Sequence, residues 1–98
     1  MTQLPYEYDA PIKDPDSILR HAHDVSQWLL EGETITGTPL VFAEPAGLVI
    51  DQIAHAAGIV SYRISGGTVG DVHMVTCRVV TNQGRSDDRT VRYEIRQR

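Results

Sequence analysis

From residue 33 to the end, the chain is a succession of short runs rich in β-branched residues, each cut off by a turn signal. "TITGTPLVFA" stops at Pro45-Ala46-Gly47, and "LVIDQIA" stops at His55-Ala56-Ala57-Gly58. "IVSYRIS" runs into Gly66-Gly67, "VHMVTCRVVT" ends at Asn82-Gln83-Gly84, and "RTVRYEIRQR" closes the sequence. Turn signals roughly every 8–12 residues between such runs are the signature of an all-β sandwich or barrel. The last two runs alternate with period two, setting Val75, Cys77 and Val79 on one face, then Val91, Tyr93 and Ile95. Between them "TNQGRSD" reads as a hairpin loop with Gly84 at a positive-φ position.

The chain has 98 residues, enough for one domain with one core and little room for a deep catalytic cavity. Its single cysteine, Cys77, excludes an internal disulfide. The N-terminus has neither the basic region nor the apolar run of a signal peptide. No stretch approaches the length of a membrane span. Synthesis in the cytoplasm is the expectation, with neither membrane nor nucleic acid as a partner. Charge is uneven. Residues 1–33 carry two basic against seven acidic side chains, a net −5, and residues 78–98 carry six arginines against three acidic residues, a net +3. This suits either head-to-tail contact between subunits or ordinary scattered surface charge.

Residues 1–17 contain Pro5, Pro11 and Pro15, which enforce extended backbone and prevent a helix. They read as an N-terminal arm able to reach about 55 Å at ~3.3 Å per residue. Leu4, Tyr6, Tyr8 and Ile12 are its apolar contact candidates, and the competing reading is a disordered terminus. Residues 18–31 are ambiguous. Ile18, Ala22, Val25 and Leu29 form a helical stripe, whereas Leu19, His21, His23 and Val25 alternate as a strand would.

"SGGTVGDVHMV" at 65–75 raises the question of a phosphate loop. It lacks the glycine spacing and the lysine of such loops, and it leads into a strand where a helix N-terminus would be needed. A corner of a β-sandwich fits better, with Gly66, Gly67 and Gly70 as turn residues. In Ig-like sandwiches a tyrosine pins the corner at the penultimate strand, and here His73 occupies that place. An imidazole N–H there could still donate to a backbone carbonyl. His21-x-His23 would set two imidazoles on one strand face, with His55 or His73 as a conceivable third ligand. No second cysteine or clustered glutamate completes such a site, so neither metal nor cofactor is expected. Ser61, Ser65 and Cys77 lack a nucleophile motif. Arg92, Arg96 and Arg98 lack interleaved aromatics for nucleic acid. An enzyme is not expected.

With these residues in view, the chain resembles the fibre–tail adaptor family of tailed bacteriophages, small virion proteins with an Ig-like β-sandwich. The resemblance is carried by "KDPDSIL" at 13–19, "DVSQWLLEGETI" at 24–35, "PAGLVI" at 45–50, "SGGTVG" at 65–70 and "VTCRVVTNQGRSDDRTVRYEIRQR" at 75–98. Its most specific pieces are Lys13-Asp14-Pro15-Asp16; Trp28-Leu29 with Gly32-Glu33-Thr34-Ile35; and Ser65-Gly66-Gly67, Gly70, Arg78, Gly84-Arg85 and Asp88-Arg89. The resemblance implies an Ig-like sandwich at 18–98 behind the arm 1–17, with 18–25 as a strand and a short turn at 26–30.

It also implies a virion tail component, made in the host cytoplasm and assembled as a ring homo-oligomer. Its partners would be other tail or neck proteins and a fibre N-terminus. Tyr6, Tyr8 and Trp28 are the aromatic contact candidates, with Trp28 equally suited to the core, and Arg92 and Arg96 join them from the last strand. A neck or capsid-decoration protein and a ligand-binding sandwich are the alternatives. His21, His23, Val25 and His73 stand where aromatic or apolar residues are usual in the family. Inward imidazoles there would weaken folding or assembly near pH 6.

Overall fold

The computed structural model describes residues 8–9 and 13–97. Within them the secondary structure is all β. The strands are β1 (Tyr8–Asp9), β2 (Leu19–Asp24), β3 (Leu40–Glu44), β4 (Leu48–Ala56), β5 (Ile59–Gly66), β6 (Val72–Val80) and β7 (Ser86–Glu94). They form a four-stranded sheet in the order β1-β7-β6-β3 and a three-stranded sheet in the order β2-β5-β4. All pairs are antiparallel except β1 with β7, which run parallel. Strands two, five and four on one side against three, six and seven on the other is the Ig-like arrangement.

Period-two alternation builds the core. Val60, Tyr62 and Ile64 from β5 face Val75, Cys77 and Val79 from β6, together with Val41, Val91 and Tyr93. Each of these alternates with a more exposed neighbour, as expected for sheets buried on one face. Cys77 lies buried in this core, filling space as a small hydrophobe.

Residues 19–24 are a strand. Leu19, His21 and His23 point inward while Arg20, Ala22 and Asp24 face solvent, and all six pair with β5. The helical stripe loses because it would leave the β5 edge and the inner face of His23 uncovered. Three boundaries differ from the sequence reading. "TITGTPLVFA" is broken: Ile35 makes one isolated bridge to Thr81, and β3 starts only at Leu40, after Gly37 in left-handed geometry and Pro39. Strand β4 runs on through His55-Ala56, so the turn narrows to Ala57-Gly58. Strand β7 spans Ser86–Glu94, so it starts before the run "RTVRYEIRQR" and stops short of its end, and β1 lies on its outer side at Val91 and Arg92.

The two ends of the sandwich carry its connections. The upper end holds the long 25–39 loop, the β4–β5 turn and the β6–β7 loop. The lower end holds Lys13–Ser17, the β3–β4 turn, the 67–71 connection and the residues after β7.

Candidate protein-interaction site

At the upper end a carboxylate is buried in a cage of donors. Strand β2 ends at Asp24, which accepts hydrogen bonds from the Ser26 amide and hydroxyl and starts a tight turn. The chain then turns again at Gly32 and brings Glu33 inward, its side chain fully shielded from solvent. Arg85, immediately before β7, donates to both carboxylate oxygens. The Thr81 hydroxyl donates to Oε2 at 2.6 Å and the Leu30 amide to Oε1 at 2.8 Å. The Arg85 guanidinium also donates to the Trp28 carbonyl and lies 4.3 Å over the Trp28 ring. A planar guanidinium serves bidentate pairing and stacking at once, which a lysine would not. These donors, Arg85 first, hold the Glu33 carboxyl at about 2, well below its ordinary value, against the opposing pull of burial.

At the lower end the buried charge is a lysine, held by carbonyls. Lys13 is buried, and its Nζ donates to Gly66 O at 2.6 Å and to Asp14 O at 2.9 Å. Its backbone continues the β7 edge: the amide donates to Glu94 O, and its carbonyl accepts from the Arg96 amide. Burial lowers the Lys13 pKa, with Asp14 and Asp16 pulling it back up.

The glycine loop supplies the other half of this clasp. Gly66 presents its carbonyl to the ammonium. Gly67, at φ +107°, packs closely on the last residues of the sheet, and a Cβ there would stand 3.0 Å from the Ile95 Cδ1 and oblige that side chain to shift. The Gly70 amide donates to Ile95 O at 3.0 Å. The residues that suggested a phosphate loop therefore bind the chain's own last strand and its Lys13.

His73 is fully buried, and its Nδ1–H donates to the Pro45 carbonyl at 2.7 Å. A corner tyrosine bonds a few residues upstream, whereas this imidazole reaches 28 residues back and ties β6 to the turn by which β3, in its own sheet, crosses to β4 in the facing one. Gly47 sits against the ring, where a Cβ would come 2.9 Å from its Cε1. His21 and His23 lie with their ring centroids 4.6 Å apart, and His23 Nε2 is 2.7 Å from the Tyr62 hydroxyl. These two rings pack beside Tyr62, and His21 also meets Tyr93 edge-on. His55 is elsewhere, its Nε2–H donating to Gly37 O. Among the described residues no three His, Cys, Asp or Glu side chains cluster as metal ligands would.

The contact candidates are scattered. Leu4, Tyr6 and Ile12 lie outside the described residues, and Tyr8 is described only as part of β1. Trp28 is half-buried and packs against the core. Arg96 pairs with Glu94, and Arg92 is half-buried on the outer face of β7, opposite Met74. The basic segment 78–98 is largely spent within the chain. Arg78 pairs with Asp88, Arg85 with Glu33, Arg89 with Asp87 and Arg96 with Glu94.

Sequence reasoning did not single out Glu33, Thr81, Arg85 or Lys13 as a working set. The signal was present in the resemblance, because its specific pieces are the ones these clasps bring together. Trp28, Gly32-Glu33 and Gly84-Arg85 meet at the upper end, and Lys13-Asp14 meets Ser65-Gly66-Gly67 and Gly70 at the lower. No curated protein matches the chain. The podophage GP4 fiber-tail adaptor protein gp77 family matches it over residues 13–94, which span both clasps and every strand from β2 to β7. The chain thus belongs to the podophage GP4 fiber-tail adaptor family and is a structural component of the phage tail.

Proposed function

We propose that the protein works by protein–protein packing alone, joining a fibre to the tail as one subunit of a ring of identical copies. The observation that carries this reading is the family match across the whole sandwich. The described groups with shifted pKa values are engaged in ion pairs, turns or the core, which suits a scaffold better than a catalyst. In this reading the segment 1–17 clasps a neighbour through Leu4, Tyr6, Tyr8 and Ile12. Trp28, Arg92 and Arg96 meet a neighbouring tail or neck protein or a fibre N-terminus. The subunit is made in the host cytoplasm and acts in the virion tail without cofactor, nucleic acid or membrane.

Such a role asks for a rigid body with defined ends. The Glu33–Arg85 and Lys13–Gly66 clasps supply that by fixing the loops at both ends to the last strand. Electron microscopy of intact particles tests the proposal. Density for the sandwich, repeated around the tail axis between the tail and the fibres, is the expected result. Density confined to the neck or the capsid surface would overturn it.

A further inference from the structure

We propose that the uncovered stretch of the β7 edge, residues 86–90, is the seat of residues 4–7 of the N-terminal arm, donated in the ring by the neighbouring copy. This deepens the adaptor reading and rests on it only for which copy donates the segment. Strand β7 spans Ser86–Glu94, and β1 pairs with it only at Val91 and Arg92. No other described strand lies on the outer side of β7. An edge left open over that length is a template for one more strand.

The bonding pattern of this edge is fixed by its other side. In an antiparallel ladder alternate residues bond to the neighbour, and those between turn their N–H and C=O the opposite way. The Ile95 amide donates to Asp71 O at 2.9 Å and the Thr81 amide to Arg85 O at 2.8 Å, both continuing the β6–β7 register. The odd-numbered residues of β7 are thus the ones bonded to β6, and Ser86, Asp88 and Thr90 present their backbone groups outward. Lys13 shows how a parallel neighbour takes up such groups. Opposite Ile95, it donates its amide to Glu94 O and accepts from the Arg96 amide. A residue opposite an odd-numbered position makes both bonds, and the residues between make none.

The register names the occupant. Tyr8 stands opposite Val91 and Asp9 opposite Arg92, and seven residues precede Tyr8. Carried back along the chain, the same register sets residues 3–7 opposite 86–90, which is the uncovered stretch. Tyr6 and Leu4 then stand opposite Arg89 and Asp87, where both bonds are made. Pro5 falls between them, where no N–H is needed, and that is the one way a proline is accepted in an edge strand. A slip of one residue would move Pro5 to a bonding position. Glu7 comes to the outer face, which Arg92 shares, while Leu4 and Tyr6 come to the inner face beside the Asp87–Arg89 pair. The bonds are the same whichever copy supplies the strand, which is the condition for exchange between identical subunits.

Hydrogen exchange on the full chain tests the seat. The Asp88 and Thr90 amides, bonded to the Leu4 and Tyr6 carbonyls, should exchange slowly. Tyr6→Pro should speed them by about tenfold or more, with core amides such as Val75 unchanged. Glu7→Pro removes an N–H that faces away from β7 and should leave them slow. Fast exchange in the parent, or an equal response to the two prolines, would overturn the proposal. The donor copy is read with Glu7→Cys and Thr90→Cys together, register partners within disulfide reach, while Cys77 stays buried in the core. In assembled particles a disulfide between neighbouring copies is expected. Links confined within single chains would overturn the exchange between copies, and no link at all would overturn the seat. Particles lacking the chain from the fibre junction would instead sink the adaptor reading and leave the exchange rates standing.

Discussion

The two ends of this sandwich solve the same problem with opposite charges. Each ties a long loop to the last strand through one buried ionisable side chain. At the upper end the buried group is a carboxylate, Glu33, and its partners include a full counter-charge, Arg85. At the lower end it is an ammonium, Lys13, and its direct hydrogen bonds go to the neutral carbonyls of Gly66 and Asp14. The pKa directions follow. The paired carboxyl is held down at about 2 because its charged form is favoured, whereas burial costs Lys13 part of its preference for the charged form. A buried charge with a bidentate partner stabilises a loop in one geometry. A buried charge with carbonyl partners holds a strand in place but leaves a desolvation cost uncompensated.

The largest expected effect breaks the upper clasp. Glu33→Ala removes the acceptor of four donors and strands Arg85 over Trp28, and should lower the melting temperature by roughly 10 °C or more. The wild type has a linked acid limb. The folded-state pKa of Glu33 is depressed, so its contribution is complete above its ordinary value near 4.5 and is lost as pH falls towards about 2. Melting temperatures recorded from pH 5 down to pH 2 should fall steeply in the wild type and more gently in the variant. Parallel curves would show that the clasp does not carry the acid sensitivity.

A smaller loss is expected at the lower end. Lys13→Met keeps the apolar stem but leaves the Gly66 and Asp14 carbonyls without their donor, costing about 1–3 kcal/mol. Its pH signature has the opposite sense. The folded pKa of Lys13 lies below its ordinary 10.5, so the unfolded chain binds more protons and stability from this group rises with pH across that interval. The difference between wild type and variant, measured by urea unfolding, should therefore widen as pH is raised towards 10. Hydrogen exchange at Ile95 and Arg96 should quicken in the variant, and unchanged exchange would mean Lys13 does not pin the end of the last strand.

The β3–β4 turn gives the third test. His73 is held between Pro45 and Gly47, so Gly47→Ala, whose Cβ would stand 2.9 Å from the imidazole Cε1, should lower the melting midpoint by a few degrees. An unchanged midpoint would remove the expectation. The smallest effect is expected on the outer face. Arg78→Ala deletes an exposed ion pair to Asp88 and should move the melting temperature by no more than ~2 °C. A shift as large as that of Lys13→Met would erase the contrast between exposed pairs and buried clasps.

How much of this was legible differs from element to element. Strands β6 and β7 were readable because Val75-Cys77-Val79 and Val91-Tyr93-Ile95 alternate over one-sided burial. Strand β2 was not readable from pattern alone, since its apolar residues satisfy both a helical and an extended period; pairing with β5 decides. Strand β3 was read too long, because "TITGTPLVFA" has strand composition while Gly37 and Pro39 interrupt its pairing. The tight β4–β5 turn was read two residues too early, because Ala57 is not a residue that normally signals left-handed backbone. Among site residues, the glycines at 66, 67 and 70 were recognisable as turn formers, but their partner, Lys13, lies 53 residues away from Gly66.

The charge asymmetry along the chain shows the boundary best. Sequence counts fix an acidic segment at 1–33 and a basic one at 78–98, and one-dimensional reading offers intermolecular contact or scatter. The fold joins the two at Arg85, which returns to Glu33 across 52 residues, while Arg78, Arg89 and Arg96 close on acids of their own segment. By itself the sequence determined the fold class, since alternation and turn spacing act within a few residues. Only the tertiary structure decided which charges are buried, which loops they hold and which strand edge stays open. Those depend on contacts between segments far apart in the chain, and no local pattern encodes such distances.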